Sequence, residues 1–319
     1  MDLFATGFNA WNQLSIEQKI LTDEPHDLFA FTKVLSATAI ERPVSRLTYT
    51  IVRQDGRLIV AGLAPNPQYL ELLYTSAEDA SGQILTIAQD QNTHDSNKLV
   101  KHSSVSSTKP DAIFACTPPA TQIAAFNTGF VILHSNGTVS TFGDSRFEAC
   151  LGRDIDPPNR PSETPGPVPD LHEIASADDP VKCVTAGGTA VAALTTSGSV
   201  YVWGSSSISS STASKTSGSS HHHRRGHAFR QLSGMPNYTE IDDGKDVVDV
   251  ALGESHAIAL TADGLVYVIG ENNNGQLGID KAIERAEEWI NVPFNAADGS
   301  KIVGVAAGPR TSFILTAKT

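Results

Sequence analysis

A spacing of six residues between two glycines recurs four times along the 319-residue chain and constrains the fold more than any other feature of the sequence. The copies are Gly56 to Gly62, Gly137 to Gly143, Gly198 to Gly204 and Gly264 to Gly270. In each copy a short turn leads into an apolar run with β-branched or aromatic residues, which is typical of a β-hairpin. A hairpin unit that returns at intervals predicts a repeat fold whose core is spread along the chain.

The best-preserved unit covers residues 247–280. Two apolar runs, 257–260 and 265–269, flank Asp263-Gly264, a two-residue hairpin signal. This pattern predicts two strands that are buried on both faces. A weaker copy, 81–88, keeps the spacing but ends in alanine, so it is either a degenerate unit or an inserted hairpin.

The two ends of the chain complement each other. Residues 303–319 align without gaps on 247–263 and stop before the second strand of the hairpin, and residues 2–14 supply the missing half with Gly7 in the place of Gly270. A repeat split between the termini is how a ring of sheets closes. The sequence therefore predicts an all-β fold, a closed β-propeller formed by 1–319 as one domain, with the N- and C-terminal strands sharing one blade.

The stretches between the copies are irregular. Residues 63–120 are rich in proline and polar residues and predict one poorly preserved blade plus loops. Residues 205–226 are nearly all Ser, Thr, Gly, His and Arg and predict a disordered loop insertion. Residues 283–289 predict one or two helical turns.

Charge and composition exclude several classes of protein. Lys and Arg number 23 against 35 Asp and Glu, a formal charge of −12, which argues against a broad nucleic-acid or anionic-membrane surface. The three cysteines lack CxxC spacing, and no run of eighteen apolar residues or secretory signal is present. We expect a cytoplasmic and nuclear protein that contacts neither nucleic acid nor membrane directly.

No pattern in the sequence predicts a catalytic residue, a cofactor or a metal site. His256 lies in an apolar strand with no acid or nucleophile beside it, so a buried structural role is favoured over catalysis. The run His221 to His223 is interpreted as part of a solvated loop rather than a rigid metal site. The glycine-rich segment 270–278 lacks the Gly-Lys-Ser/Thr of a phosphate loop and is interpreted as a turn.

The motif GESHAIALTADGLVYVIGENNNGQLG at 253–278 resembles the repeat of the regulator of chromosome condensation family. That resemblance implies seven blades, although the sequence alone shows five or six. Small size, acidic charge and the lack of extra domains make the chain similar to the small fungal propellers known as alpha-tubulin suppressor or killer-toxin-insensitivity proteins.

The resemblance implies a partner. Those fungal propellers bind a small CSL-type zinc protein, an electron donor in diphthamide synthesis that also supports tRNA wobble-uridine modification by Elongator. We therefore expect a non-enzymatic, protein-binding propeller that forms a heterodimer with such a protein and acts on Elongator only indirectly. The alternative is a guanine-nucleotide exchange factor for a Ran-type small GTPase. Because propeller enzymes gather residues from distant blades, the sequence leaves an enzyme as a third, less favoured class.

The expected partner site lies in the loops that follow Gly7, Gly143, Gly204 and Gly270. Trp11 and Phe147 replace Asn274 at the loop tip, and Arg146 adds a cation beside Phe147. Glu271 and Asn273, in the loop of the best-preserved unit, complete the predicted set. Aromatic and Arg residues are common anchors of interfaces. Trp11 and Phe147 could equally pack between neighbouring blades.

Overall fold

The computed structural model describes residues 1–17, 24–63, 65–89, 96–174, 178–205, 229, 232–296 and 299–318. Within these residues the chain forms six antiparallel sheets, which we number as blades 1 to 6. From the inside outward, blade 1 consists of β22 (Ser300–Gly308), β23 (Thr311–Lys318), β1 (Asp2–Gly7) and β2 (Leu28–Ser36). Blade 2 consists of β3 (Val44–Ser45), β4 (Tyr49–Gln54) and β5 (Arg57–Gly62). Blade 3 consists of β6 (Ala77–Glu78), β7 (Ile84–Gln89), β8 (Asn97–His102) and β9 (Ala112–Cys116).

The remaining blades each have four strands in chain order. Blade 4 consists of β10 (Ala120–Phe126), β11 (Gly129–His134), β12 (Val139–Gly143) and β13 (Gly166–Pro167). Blade 5 consists of β14 (Val181–Gly187), β15 (Ala190–Thr195), β16 (Val200–Gly204) and β17 (Asn237–Thr239). Blade 6 consists of β18 (Val247–Leu252), β19 (His256–Thr261), β20 (Val266–Glu271) and β21 (Arg285–Asn291). The described connections contain three short α-helices, α1 (Leu70–Thr75), α2 (Glu148–Leu151) and α3 (Pro169–Ile174).

Blade 6 contains the predicted hairpin. Every residue of β19 is buried, and so is every residue of β20 from Val266 to Gly270. Gly264 adopts φ +83° in the turn between these two strands, a conformation that favours glycine. The prediction of a hairpin buried on both faces is confirmed, because blade 6 packs between blades 5 and 1.

Blade 1 brings the first and last strands side by side. Leu3 lies opposite Leu315, and Gly7 lies opposite Thr311. The pair Gly270 and His256 in blade 6 has the same register, so β1 and β23 occupy the positions that β20 and β19 occupy there.

Six apolar clusters of described residues lie between successive blades and between blade 6 and blade 1. The core is therefore distributed between the sheets, as the repeat predicts.

The expectation of seven blades is wrong, since the described residues form six sheets. The number seven came only from the resemblance, whereas the number of blades depends on how many sheet units the chain supplies. Segment 63–120 supplies one unit, blade 3, so the prediction for that stretch is confirmed.

Two local assignments also need correction. Residues 283–289 do not form a helix: Arg285–Asn291 is the outer strand of blade 6 and pairs with β20. The weak copy 81–88 belongs to blade 3, but Gly82 turns between the first and second strands rather than between the second and third. Similar turn chemistry at two different corners explains this shift of one strand.

Residues 206–226 of the expected Ser/His-rich insertion lie outside the described residues. Among the described residues, no helix is both long and apolar enough to cross a membrane.

Candidate functional site

One end of the propeller carries both the turns between first and second strands and the loops that leave the third strands. In five blades the last residue of the third strand, or the residue directly after it, donates its backbone N–H to a carbonyl of that turn. These bonds are Phe8 to Arg310, Leu63 to Thr48, Asp144 to Thr128, Ser205 to Thr189 and Glu271 to Ser255, at 2.8–3.1 Å. We call this end the loop face; all five predicted partner-binding residues belong to its loops.

A cavity of about 470 Å³ opens at the centre of the loop face. All six blades contribute to its wall, through residues 45–49, 78–80, 125–127, 186–188, 252–254 and 307–309. Two ion pairs lie at or next to its wall: Arg46 lies 3.2 Å from Glu78, and Arg310 lies 3.5 Å from Glu254. Because Asp79 and Glu254 also line the cavity, acidic side chains outnumber basic ones in its wall.

Two side-chain amides fix the shape of the loop in blade 6. The Asn272 Oδ1 atom accepts a bond from the backbone N–H of Leu277 at 3.0 Å, and Gln276 Oε1 accepts one from the N–H of Asn274 at 2.9 Å. Both amides are buried. The Gly-x-Asn-x-x-Gly-Gln-Leu-Gly pattern therefore serves as scaffolding, as the interpretation of 270–278 as a turn predicts.

The same brace recurs around Trp11 in blade 1. Asn9 Oδ1 accepts from the N–H of Leu14 at 2.9 Å, and Gln13 Oε1 accepts from the N–H of Trp11 at 2.9 Å. The Trp11 side chain is 47% exposed and belongs to none of the apolar clusters between blades. Of the two readings open from the sequence, the structure favours an exposed position for Trp11 over packing between blades.

Two exposed leucines of blade 2 lie in loops next to Gln13, two residues from Trp11. Gln13 donates from Nε2 to the carbonyl of Leu47 at 3.1 Å, and Leu63 follows β5 at the same end. Leu47 is 44% exposed and Leu63 is 59% exposed. Sequence reasoning missed both leucines, because the predicted site included neither the loop after Gly62 nor the turn before β4.

Arg146 and Phe147 have different environments. The Arg146 guanidinium is bound to Asp144, with Nη2 to Oδ2 at 2.6 Å and Nε to both carboxylate oxygens at 3.0–3.1 Å, yet 81% of its side chain is exposed. Its hydrogen bonds lower the pKa of Asp144. Phe147 instead packs partly buried against the cluster between blades 4 and 5. Arg146 is therefore presented to solvent in a fixed geometry, whereas Phe147 mainly fills space.

Arg146 stands at the edge of a second cavity, of about 590 Å³, between blades 3 and 4. Phe114, Phe130 and Phe142 are among its walls, and Lys101 and Glu163 contribute charge. Glu271 and Asn273 line a smaller cleft of about 120 Å³ with Glu254 and Arg310. The predicted residues thus occupy several regions of one face and do not converge on one pocket.

His256 is enclosed in the core. Its Nε2 atom lies 3.0 Å from Ser312 Oγ and 3.2 Å from the carbonyl of Thr311, and the side chain is completely buried. Burial lowers the pKa of His256 to about 4. Although a Ser and a His are paired here, no substrate reaches them, so the structural interpretation of His256 is supported.

The cysteines form no disulfide; Cys116 and Cys150 are buried, and Cys183 is half-buried. Burial raises the pKa of each thiol, that of Cys150 to about 11, which disfavours the reactive thiolate. Across the described part of the chain, no three His, Cys, Asp or Glu side chains are grouped so that they could hold a metal ion.

Comparison with known families and proteins finds repeat matches in the C-terminal part of the chain. Two family models, both for the regulator of chromosome condensation (RCC1) repeat, match the overlapping residues 247–276 and 263–315. The human regulator of chromosome condensation is 28% identical over 218 residues, which cover 68% of this chain and 46% of that protein. The mouse E3 ubiquitin-protein ligase HERC2 is 30% identical over 178 residues, which cover 56% of this chain and 3% of the ligase. The chain thus spans less than half the length of these relatives.

Solved structures show the same fold at low identity. Prp20p from Saccharomyces cerevisiae, whose structure was described together with its binding to Gsp1p and histones, has a TM-score of 0.64 and 12% identity over 100% of this chain and 92% of that chain. Human WBSCR16 has a TM-score of 0.55 and 15% identity over 100% of this chain and 99% of that chain.

Proposed function

We propose that this chain, an RCC1-type repeat propeller, is a non-enzymatic protein-binding module that holds a small folded partner on its loop face. The observation that carries the proposal is Trp11, a large aromatic side chain that is 47% exposed on a backbone fixed by Gln13. Aromatic residues on ordered backbone lose little conformational entropy on binding and are frequent hot spots.

The surroundings of Trp11 support a protein partner. Leu47 and Leu63 add exposed apolar surface to the same face, and Leu47 also lines the central cavity. An apolar centre with a polar rim is the usual anatomy of a protein interface. Arg146 adds a fixed, exposed cation on the same face, which suits an acidic partner even though the whole chain carries a formal charge of −12.

The partner that we propose is a small CSL-type zinc protein, bound as a heterodimer. By binding it, the propeller would regulate an electron donor for diphthamide synthesis and for Elongator-dependent modification of tRNA wobble uridines, in the cytoplasm and nucleus.

Titration of the purified CSL-type zinc protein into the chain tests this proposal by calorimetry. We expect Trp11→Ala to weaken binding by about tenfold or more, since hot-spot aromatics contribute at least about 1.4 kcal/mol. Arg146→Glu should weaken binding by a comparable factor, and more strongly at low salt.

Matched controls lie at the opposite end of the propeller. Leu265 is 39% exposed near the turn between β19 and β20, and Lys318 is exposed at the end of β23. Leu265→Ala and Lys318→Glu should leave the affinity unchanged. Equal losses in all four variants, or no binding by the unmodified chain, would refute the proposed partner and face.

Nucleotide exchange on a Ran-type small GTPase is the second candidate. It is favoured by the 28% identity with the human regulator of chromosome condensation over 68% of this chain. The assay is release of a fluorescent guanine nucleotide from the GTPase with and without the chain. Faster release would favour this function, and an unchanged rate would eliminate it.

A further inference from the structure

Among the described residues, blade 2 has three strands, whereas each of the other five blades has four. In those blades the third strand is covered on its outer side by β2, β9, β13, β17 or β21, whereas blade 2 ends at β5, Arg57–Gly62. No described residue pairs with the outer side of β5. The chain continues instead into helix α1, whose Leu73 packs with Ile51 and Ile84 between blades 2 and 3.

The pairing register of β4 and β5 shows which backbone groups of β5 lie at its open edge. β4 and β5 pair from Gln54 opposite Arg57 across a two-residue turn. In such a ladder alternate residues bond to the partner strand, which leaves the N–H and C=O groups of Leu58, Val60 and Gly62 directed outward. The bond from Leu63 N–H to Thr48 at 2.8 Å fits this alternation.

Blade 6 shows what occupies the equivalent position. Aligning Gly264 with Gly56 places Val266, Val268 and Gly270 on Leu58, Val60 and Gly62. In blade 6 these three residues face β21: Val266 accepts from Val292 at 2.8 Å, and the other two lie opposite Ile290 and Ala286.

The composition of β5 is that of a covered strand. Its sequence RLIVAG is mostly apolar and lacks proline, and Leu58, Ile59 and Val60 are only half-buried. Exposed apolar edges of this kind pair readily with other strands, and proteins usually protect them with charged residues. The outer strand β21, RAEEWIN, carries such charges.

We propose that the edge of β5 binds an extended segment of a partner protein, which becomes the fourth strand of blade 2, antiparallel to β5. Six residues of edge accommodate roughly four to six residues of partner. Arg57 is exposed and has no ion pair within the described residues, so it favours a carboxylate at the C-terminal end of the bound segment.

A second copy of the chain fits this edge less well than a peptide. The neighbouring blades carry the outer strands β2 and β9, so β5 is set back by about one strand spacing, roughly 4.8 Å. A single extended segment reaches such a recess, whereas the rim of another propeller would first meet β2 and β9. Two copies would also bring together formal charges of −12 each.

The test uses a labelled synthetic peptide with the sequence of β21, RAEEWIN, and a free C-terminal carboxylate. We expect saturable binding by fluorescence anisotropy. Val60→Pro removes an outward N–H without breaking the ladder to β4, so it should weaken binding by about tenfold or more, whereas Val60→Thr should remain within about twofold of the unmodified chain. Thermal melting establishes that both variants fold.

Residue-resolved amide exchange decides the matter even if Val60→Pro fails to fold. In the unmodified chain the amides of Leu58 and Val60 should exchange much faster than those of Ile59 and Ala61, and the peptide should slow only the first pair. The proposal fails if the peptide does not bind saturably, if the proline and threonine variants bind equally, or if Leu58 and Val60 are already protected without peptide. Protection that grows with protein concentration would assign the edge to a second copy instead.

Discussion

Blade 6 fills all four strand positions from one continuous segment, whereas the described residues of blade 2 fill only three. In blade 6 the second strand is wholly buried, and the side-chain amides of Asn272 and Gln276 fix the loop that follows the third strand. Blade 2 is held by contacts beyond its sheet: Arg53 pairs with Glu71 at 2.7 Å and Glu41 at 3.4 Å. The well-preserved repeat of blade 6 is thus stabilised by contacts within its own segment, whereas the degenerate repeat of blade 2 depends on contacts with neighbouring segments.

The two blades are also joined directly. Arg42, just before β3, reaches the Asp249 carboxylate on the inner strand of blade 6, with Nη2 2.6 Å from both oxygens. The same carboxylate accepts the backbone N–H of Val305 in blade 1 at 2.8 Å. Gly304 beside it has no side chain, and a Cβ there would lie 3.2 Å from Asp249.

The largest expected difference between the two blades is the effect of acid on their contribution to stability. His256 in blade 6 aligns with Tyr49 in blade 2, and burial lowers the pKa of His256 from 6.5 to about 4. The unfolded chain therefore binds a proton between pH 6.5 and 4 that the folded chain does not. Stability from this residue is complete above pH 6.5 and falls by up to about 3 kcal/mol toward pH 4.

Urea unfolding of the unmodified chain and His256→Gln from pH 7.5 to 4.5 measures this effect. The variant should be less stable at neutral pH but should show a shallower decline with acid. Parallel pH profiles would mean that His256 does not titrate as its burial requires.

Removing the link between the blades should have the next largest effect. Asp249→Ala leaves the buried N–H of Val305 without its acceptor and Arg42 without its partner. We expect a loss of about 2–3 kcal/mol in the free energy of unfolding. Asp249→Asn keeps an oxygen acceptor and should lose less; equal losses would assign the effect to the charge alone.

A matched pair of truncations gives the smallest effect. Val268 is completely buried, and its counterpart Val60 is half-buried at the open edge. Val268→Ala should cost about 2 kcal/mol and Val60→Ala about 1 kcal/mol or less, as measured by chemical unfolding. Equal costs would show that the edge of β5 is covered in the isolated protein.

These differences explain what the sequence could predict. The glycine steps located the hairpins of blades 2, 4, 5 and 6, because a tight turn and its flanking apolar runs are local features. The strand Arg285–Asn291 was predicted as helix, because an outer strand has one polar side and little β-branched content. Its conformation is set by pairing with β20, which no short window of sequence contains.

The residues of the candidate site also differ in whether a local sequence signal marks them. Trp11 and Arg146 stand out in the sequence as candidates because they depart from the repeat at a defined loop position. Leu47 and Leu63 were missed, because their exposure next to Gln13 depends on how blade 2 meets blade 1. The count of seven blades failed for a related reason, since a family resemblance does not show how many units a given chain supplies.

The most direct test of the loop face as a binding surface is amide exchange of the chain with and without the purified CSL-type zinc protein. We predict slower exchange at residues 9–13, 47–48 and 144–147 on the loop face, and unchanged exchange at residues 263–265 at the opposite end. Protection confined to the opposite end, or no protection at saturating partner, would contradict the account.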